Sequence, residues 1–366
     1  MAEFRRCTRC VMDNASDPTI RFDEHGVCNY CTSALEKRER VYFPNEEGER
    51  RFAALADTLK REGEGKPYDC LMGLSGGLDS SYLLFLGVAR GLRILTVHID
   101  DGFDTAISKQ NLKKLVEKTG VDYTVVAPDA EQFYALSKAY MWAGVPNLAA
   151  PQDNVLFAEI YRLMRENGIR YFLSGGNWAL ECILQHGHTH TAMDTVNLRD
   201  INRRFGVTGL DKLRLWTAYR RVTDRLLRGI QSPRPLNWVD YNRDRAFAEL
   251  AEYCGFEYYG RKHLENTFTA FVQLVWLPRK FGVDKRTSHL SSMIVSGQMT
   301  RGEALEQLAG PVCPPELEAE CVREVKDRLR ITDAEYDAIM RAPAHSHLDY
   351  RTDPLLRLAS RLRFGV

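Results

Sequence analysis

Residues 75–81 read Ser75-Gly76-Gly77-Leu78-Asp79-Ser80-Ser81, and the setting of this stretch decides the fold. It follows a short apolar run, Tyr68–Leu74, of strand length, and it opens a segment, Asp79–Arg90, that predicts a helix apolar nearly all round and therefore buried. Two adjacent glycines let the backbone take dihedrals denied to other residues and approach a ligand closely. The amides of such a loop and of the helix start face an anion, and the hydroxyls of Ser75, Ser80 and Ser81 add donors. An aspartate beside a phosphate would repel it, so Asp79 has either Mg²⁺ to coordinate or a helix to cap. The spaced glycine and the lysine of a Walker loop are missing. On its own, the stretch also reads as a glycine-rich turn capped by Asp or Ser.

Working outward toward higher numbers, the spacing predicts strands over Arg93–Ile99, Tyr123–Val126 and Ile169–Leu173, and helices over Thr105–Thr119, Ala130–Trp142 and Asn154–Asn167. Alternating strands and helices imply a mostly parallel sheet with right-handed crossovers. The last strand runs into Ser174-Gly175-Gly176-Asn177, by itself merely a turn, and Glu181 lies just beyond. Toward lower numbers, Glu36–Arg61 reads as charged helix broken at Pro44–Gly48.

Before that helix stand two pairs, Cys7-x-x-Cys10 and Cys28-x-x-Cys31, separated by 17 residues. This spacing fits four thiolates closing on one tetrahedral zinc ion with no open position, a structural site. Free thiols and an iron–sulfur cluster are the other readings. Cys70, Cys182, Cys254, Cys313 and Cys321 are unpaired by spacing. The organisation expected is a zinc-ribbon-like segment over 1–35, an ATP-binding α/β domain over 36–185, and a mainly helical substrate-binding region over 186–366.

In the helical region, residues 259–305 combine aromatics with Lys262, His263, Glu265, Lys280, Lys285, Arg286 and His289. Such a set suits a diphosphate or carboxylate on a substrate; a solvated helical surface is the alternative. His186, His188 and His190 alternate in a loop-like stretch, as metal ligands or as ordinary loop residues. Arg199, Arg203, Arg204, Arg214, Arg220, Arg221, Arg225 and Arg228 crowd one segment, as an RNA-binding face or as a solvated helix surface.

Composition sets the outer bounds. The 366 residues carry 50 basic and 49 acidic side chains, a net charge of +1, which argues against a mainly electrostatic nucleic-acid binder. No apolar segment follows the opening MAEFRRC, and no run approaches the roughly eighteen residues needed to span a bilayer, so neither a secretory signal nor a membrane partner is expected. Nine cysteines without a signal point to the reducing cytoplasm.

The Ser-Gly-Gly-Leu-Asp-Ser loop after a strand resembles the signature of PP-loop ATP pyrophosphatases. That resemblance implies a Rossmann-like domain that cleaves Mg²⁺–ATP between its α and β phosphates. The nucleotide contacts then fall to Ser75, Gly76, Gly77, Asp79, Ser80 and Ser81, to Asp100 at the end of the second strand, and to Gly175, Gly176 and Asn177. The order of cysteine pairs, SGGLDSS, SGGNWALE and KHLENTFTAF…LPRKFGVDKRTSHLSS…SGQMTR is more specific. Over residues 5–305 it resembles the N-acetyl sugar amidotransferases of bacterial surface-polysaccharide biosynthesis. This resemblance implies adenylation of a sugar acetamido oxygen and its replacement by ammonia, giving an acetamidino group. It gives catalytic roles to Ser75, Asp79, Lys285 and Arg286, and substrate contacts to Lys262, His263, Glu265, Lys280, Lys285, Arg286 and His289. The sugar is expected to be nucleotide-linked. No cysteine stands in a glutaminase setting, so a separate glutaminase subunit is expected to supply ammonia. Asp101 departs from the amide-like residue expected there, and the His186–His190 run is foreign to the pattern. A tRNA sulfurtransferase, which also joins zinc cysteines to a PP-loop, is the rival reading.

Overall fold

The structure, a computed structural model, describes residues 3–257, 260 and 264–358. Four parallel strands form its one described sheet: β1 (Cys70–Gly73), β2 (Ile94–Ile99), β3 (Asp122–Val126) and β4 (Phe172–Leu173), in the order β3-β2-β1-β4. The β1–β2 register runs from Cys70 opposite Ile94 to Gly73 opposite Val97, and β4 pairs with β1 through Leu71 opposite Phe172. The chain steps outward from β1 to β3 and then returns to the other side of β1. A ligand crevice belongs at that reversal, outside the carboxyl ends of the strands.

Alternation along β1 and β2 serves two layers, because successive side chains point to opposite faces. Cys70, Met72 and Ile94 join one apolar cluster with α2 (Glu46–Glu62), α3 (Leu78–Ala89), α4 (Ala106–Thr119) and α10 (Arg243–Cys254). Leu71, Leu95 and Val97 join another with α6 (Ala150–Glu166) and Trp216. Edge strand β3 is the least buried of the four.

Local chemistry explains the element ends. Thr105 caps α4 by accepting from the Ser108 amide, and Gly120 closes it at φ 65°. Asp129 caps α5 (Ala130–Ala143) through the Gln132 amide. Asn177 caps the single turn α7 (Trp178–Glu181). Helix α1 (Asn29–Val41) starts earlier than its charged face predicts, inside the second cysteine pair, with the Cys28 sulfur accepting from the Cys31 amide.

The rest is helical: α8 (Thr195–Phe205), α9 (Ala218–Arg228), α11 (Thr267–Phe271), α12 (Leu277–Phe281), α13 (Arg286–Ser296), α14 (Arg301–Ala309), α15 (Pro315–Leu329) and α16 (Asp333–Arg341). A π turn, Val272–Trp276, joins α11 to α12 inside the largest apolar cluster, where Trp276 is fully buried. Among the described residues no helix is long and apolar enough to cross a membrane.

Candidate functional site

The loop leaving β1 is held open by its own hydroxyls. Ser75 Oγ accepts from the Gly77 amide at 3.2 Å and lies 3.3 Å from Ser80 Oγ, while Ser81 Oγ donates to the Gly77 carbonyl at 2.8 Å. Gly76 sits at φ 76°, and a Cβ there would stand 2.2 Å from Ser108 Oγ. Glycine is needed at this position both for the left-handed backbone and for the close approach of α4. Gly77 occupies the N-cap position of α3 and offers no side-chain cap. Asp79 lies within the first turn, so N-capping does not account for it.

The Ser174–Asn177 loop meets this one directly. A Cβ on Gly175 would stand 3.1 Å from the Ser80 amide nitrogen. Asn177 is buried, accepting from the Leu180 amide at 2.9 Å and donating to the Gly175 carbonyl at 3.2 Å, so its carboxamide shapes the loop. The Tyr241 hydroxyl donates to Asp79 Oδ1.

A cavity of about 280 Å³ opens at the carboxyl ends of β1, β2 and β4, between Ser75 and Ser174. Two polar clusters line it. His98 of β2 places Nδ1 2.8 Å from the Leu74 carbonyl and Nε2 2.7 Å from Asp104 Oδ2. Both partners accept, so both ring nitrogens are satisfied only by the imidazolium. Burial works against that charge, but Asp104 and the Leu74 carbonyl outweigh it and hold the ring's pKa above its ordinary value. Asp101 receives the Phe103 amide at 2.9 Å, the Asn266 side chain at 3.0 and 3.1 Å, and Gln152 Nε2. Burial raises its carboxyl pKa, with these donors pulling the other way. Asp100 stands at the edge, accepting from the Gly102 amide at 3.0 Å. His98, Asp104, Gln152, Asn266 and Tyr241 form no local motif. Only the apolar pattern of β2, which buries a histidine at its fifth position, hints at any of them.

The C-terminal block divides. Its beginning belongs to the cavity: Glu265 Oε1 stands 2.9 Å from where a Gly77 Cβ would be, the Glu265 carbonyl accepts from the Thr105 amide at 3.1 Å, and Thr269 lines the wall. Lys280 instead donates to the Ile339 and Ala342 carbonyls at 2.7 and 2.8 Å, closing the end of α16, and burial lowers its pKa. Arg286 grips Asp284 at 2.8 Å and donates to the Gln307, Gly310 and Pro311 carbonyls past α14. Lys285 is half-buried, its pKa lowered by burial and partly restored by the carboxylate of Asp17. His289 follows one turn along α13. Lys262 and His263 lie outside the described residues.

The four cysteines of the two pairs converge. Their sulfurs all lie within 4.8 Å of one another, all four are buried, and amides of Cys10, Met12, Cys28 and Cys31 point at sulfur at 3.2–3.4 Å. Four sulfurs so placed fit one tetrahedral zinc ion held through thiolates. Arg301 fastens this segment to α14 by donating to the Cys7 and Cys10 carbonyls, each at 3.1 Å. The alternating histidines diverge: His186 lies against Tyr30, His188 against Phe281, and His190 stacks on His347.

Three solved structures are similar to this chain in part. The NMN synthetase of Francisella tularensis is 14% identical with a TM-score of 0.37, over 79% of this chain and 94% of that one. The NH3-dependent NAD synthetase of Campylobacter jejuni is 12% identical with a TM-score of 0.34, over 81% and 98%. The NAD+ synthetase of Burkholderia pseudomallei is 15% identical with a TM-score of 0.34, over 85% and 97%. No curated protein matches the chain by sequence. Residues 265–363 match the family described as the C-terminal domain of WbpG-like LPS biosynthesis proteins, and they begin at the glutamate that stands beside the Ser75–Ser81 loop. Over these residues, about a quarter of its length, the chain is similar to the WbpG-like LPS biosynthesis proteins.

Proposed function

We propose that the chain is an ATP-dependent, AMP-forming amidotransferase acting on an N-acetylated, nucleotide-linked sugar. The observation that carries this reading is the joining of two parts: the segment similar to the WbpG-like domain supplies Glu265 and Asn266 to a cavity at the sheet's carboxyl edge that also takes in Ser75, and Glu265 stands against Gly77 of the glycine loop. In the reaction, the acetamido oxygen attacks the α-phosphorus of ATP and pyrophosphate leaves. Ammonia then adds to the activated carbon and AMP departs with the oxygen. Loss of a proton gives the acetamidino group. The loop amides and the hydroxyls of Ser75, Ser80 and Ser81 hold the pyrophosphate, and catalysis is mainly positioning and charge stabilisation.

The carboxylates of Asp79 and Glu265 at the loop are hard oxygen donors that suit Mg²⁺, which would neutralise phosphate charge there. His98 lies just beneath the loop, hydrogen-bonded to the Leu74 carbonyl and to Asp104, and fixes the strand end from which the loop departs. Residues 1–35, 36–185 and 186–366 are the zinc-bearing, nucleotide-binding and sugar-binding parts of a cytoplasmic enzyme. A separate glutaminase subunit supplies ammonia. The rival thiolation reaction requires a catalytic cysteine pair near the loops or a clear basic RNA face; Cys182, just past the second loop, has its pKa pushed up to about 12 by burial, and burial also raises that of Cys70 before the first, which disfavours that reading.

The test is to incubate the chain with ATP, Mg²⁺, ammonium and a panel of nucleotide-linked N-acetylated sugars. AMP and pyrophosphate should form only with the right sugar, whose product is lighter by the difference between an oxygen and an NH. Formation of ADP, or adenylation triggered by tRNA and by no sugar, would overturn the reading.

A further inference from the structure

Helix α9 is built inside out. A surface helix ordinarily turns its apolar stripe to the core. In α9 the buried residue is Asp224, whose carboxylate takes Arg165 of α6 at 2.8 Å and Arg228 of its own last turn at 3.1 Å. The opposite side presents Tyr219, Val222 and Leu226 to solvent, 77%, 53% and 74% exposed, and Leu227, on the flank toward Asp224, is 79% exposed. Tyr219, Val222 and Leu226 recur at helical spacing on one stripe. By the same geometry Arg225 falls on one flank of the stripe, and Arg220 lies nearer the Asp224 side, where it borders the groove. Beside the helix lies a groove of about 590 Å³ to which Arg199, Arg203, Arg214 and Arg220 contribute; Asp211 is the acid within it, and Arg203 and Arg214 pair with Asp200 and Glu159 at its border.

The last turn of helix α9 lies away from the nucleotide cavity, while the groove reaches toward the start of α5 through Gln132 and Asp211. Arg165 stands in the last turn of α6, and Gly229, just past α9, packs on Arg170 at the amino end of β4. The cavity opens at the carboxyl end. A subunit delivering ammonia has no use for this face.

We infer that α9 and the adjoining arginine groove seat the protein on an anionic phospholipid surface. The apolar stripe enters the boundary between headgroups and acyl chains, Arg225 snorkels to a phosphate at its flank, and the groove, with Arg220, takes further headgroups. A nucleic acid would engage the arginines and leave four large apolar side chains in water. A stable protein interface buries about 800 Å² per partner, more than one three-turn stripe offers. The lack of a long apolar run excludes a spanning helix; it does not bear on one lying in the interface. The inference is independent of the proposed reaction.

The test is co-sedimentation of the full chain with vesicles of phosphatidylcholine alone and of phosphatidylcholine mixed with phosphatidylglycerol. Binding is expected to the mixed vesicles, weakened by salt. The double variant Leu226→Asp/Leu227→Asp should bind them at least about tenfold less well, with circular dichroism and ATP binding unchanged. Equal binding to neutral vesicles, no binding to either, or undiminished binding by the variant would overturn the proposal. So would a variant whose only change is a smaller sedimentation coefficient without lipid, which would make the face a contact between two copies.

Discussion

The hydroxyl of Tyr241 donates a hydrogen bond to the carboxylate of Asp79, joining residues 162 positions apart. Tyr241 is buried and packs against Tyr82 of α3 at 5.6 Å, so the aspartate of the Ser75–Ser81 loop is held by a buried phenol. If Asp79 organises the metal and the leaving pyrophosphate, Asp79→Asn should leave the fold intact, because the amide oxygen still accepts from Tyr241. Turnover should fall at least about a hundredfold, equivalent to roughly 2.7 kcal/mol. Tyr241→Phe should fall by less, about tenfold, since it frees the carboxylate's orientation and leaves its charge. Steady-state AMP formation by both variants checks the order; near-native turnover in Asp79→Asn would remove Asp79 from the chemistry.

Gly76→Ala should act through backbone geometry. The added carbon meets Ser108 Oγ at 2.2 Å and its residue is held at φ 76°, a conformation costing a non-glycine residue about 1–2 kcal/mol. ATP affinity measured by calorimetry should drop sharply while the thermal midpoint moves by a few degrees at most. Unchanged affinity would mean that the loop does not contact the nucleotide.

His98 makes stability depend on pH in a stated direction. Its folded pKa is raised above the unfolded value of about 6.5, so its contribution is fully present below that value and is lost as pH rises through the folded one. The melting-temperature gap between the native protein and His98→Gln should therefore be widest in acid and shrink in alkali. A gap constant across pH would show the ring neutral in the folded state.

The cysteine cluster should bring about one equivalent of zinc through purification, read by elemental analysis. Cys28 has two jobs, as a prospective ligand and as the N-cap of α1, so Cys28→Ser should lose the metal and loosen the start of that helix together. No metal in the purified protein, together with an unchanged melt for Cys28→Ser, would rule out a structural zinc.

Much of the α/β portion could be read from the sequence because its boundaries are set locally. Thr105, Gly120, Asp129 and Gly144 cap or close helices within a turn of themselves, and predicted ends fall close to the observed ones. The site was legible only where it is one continuous loop. Charge and residue type alone do not reveal which partner a side chain will meet. Lys280 and Arg286 look alike in sequence as substrate cations, yet both are occupied by helix-end carbonyls far along the chain. Glu265, read with them, lies at the phosphate loop instead. The inverted face of α9 was hidden for the same reason: periodicity finds an apolar stripe and cannot say whether it points in or out.

Arg301 reaches carbonyls 291 and 294 positions earlier, and Val11 donates to Ser291 across 280. During synthesis the cysteine segment leaves the ribosome long before the helices that receive it. It must wait, with its thiols accessible, until nearly three hundred further residues have been made. Contacts of such sequence separation form late and slowly, because the loop they close must be ordered first. A metal ion captured early would fold the two knuckles on their own and shield their sulfurs from oxidation through that interval. On this view the ion would act first as a guardian of the nascent chain and afterwards as the rivet of the small segment onto which Ser291 and Arg301 close.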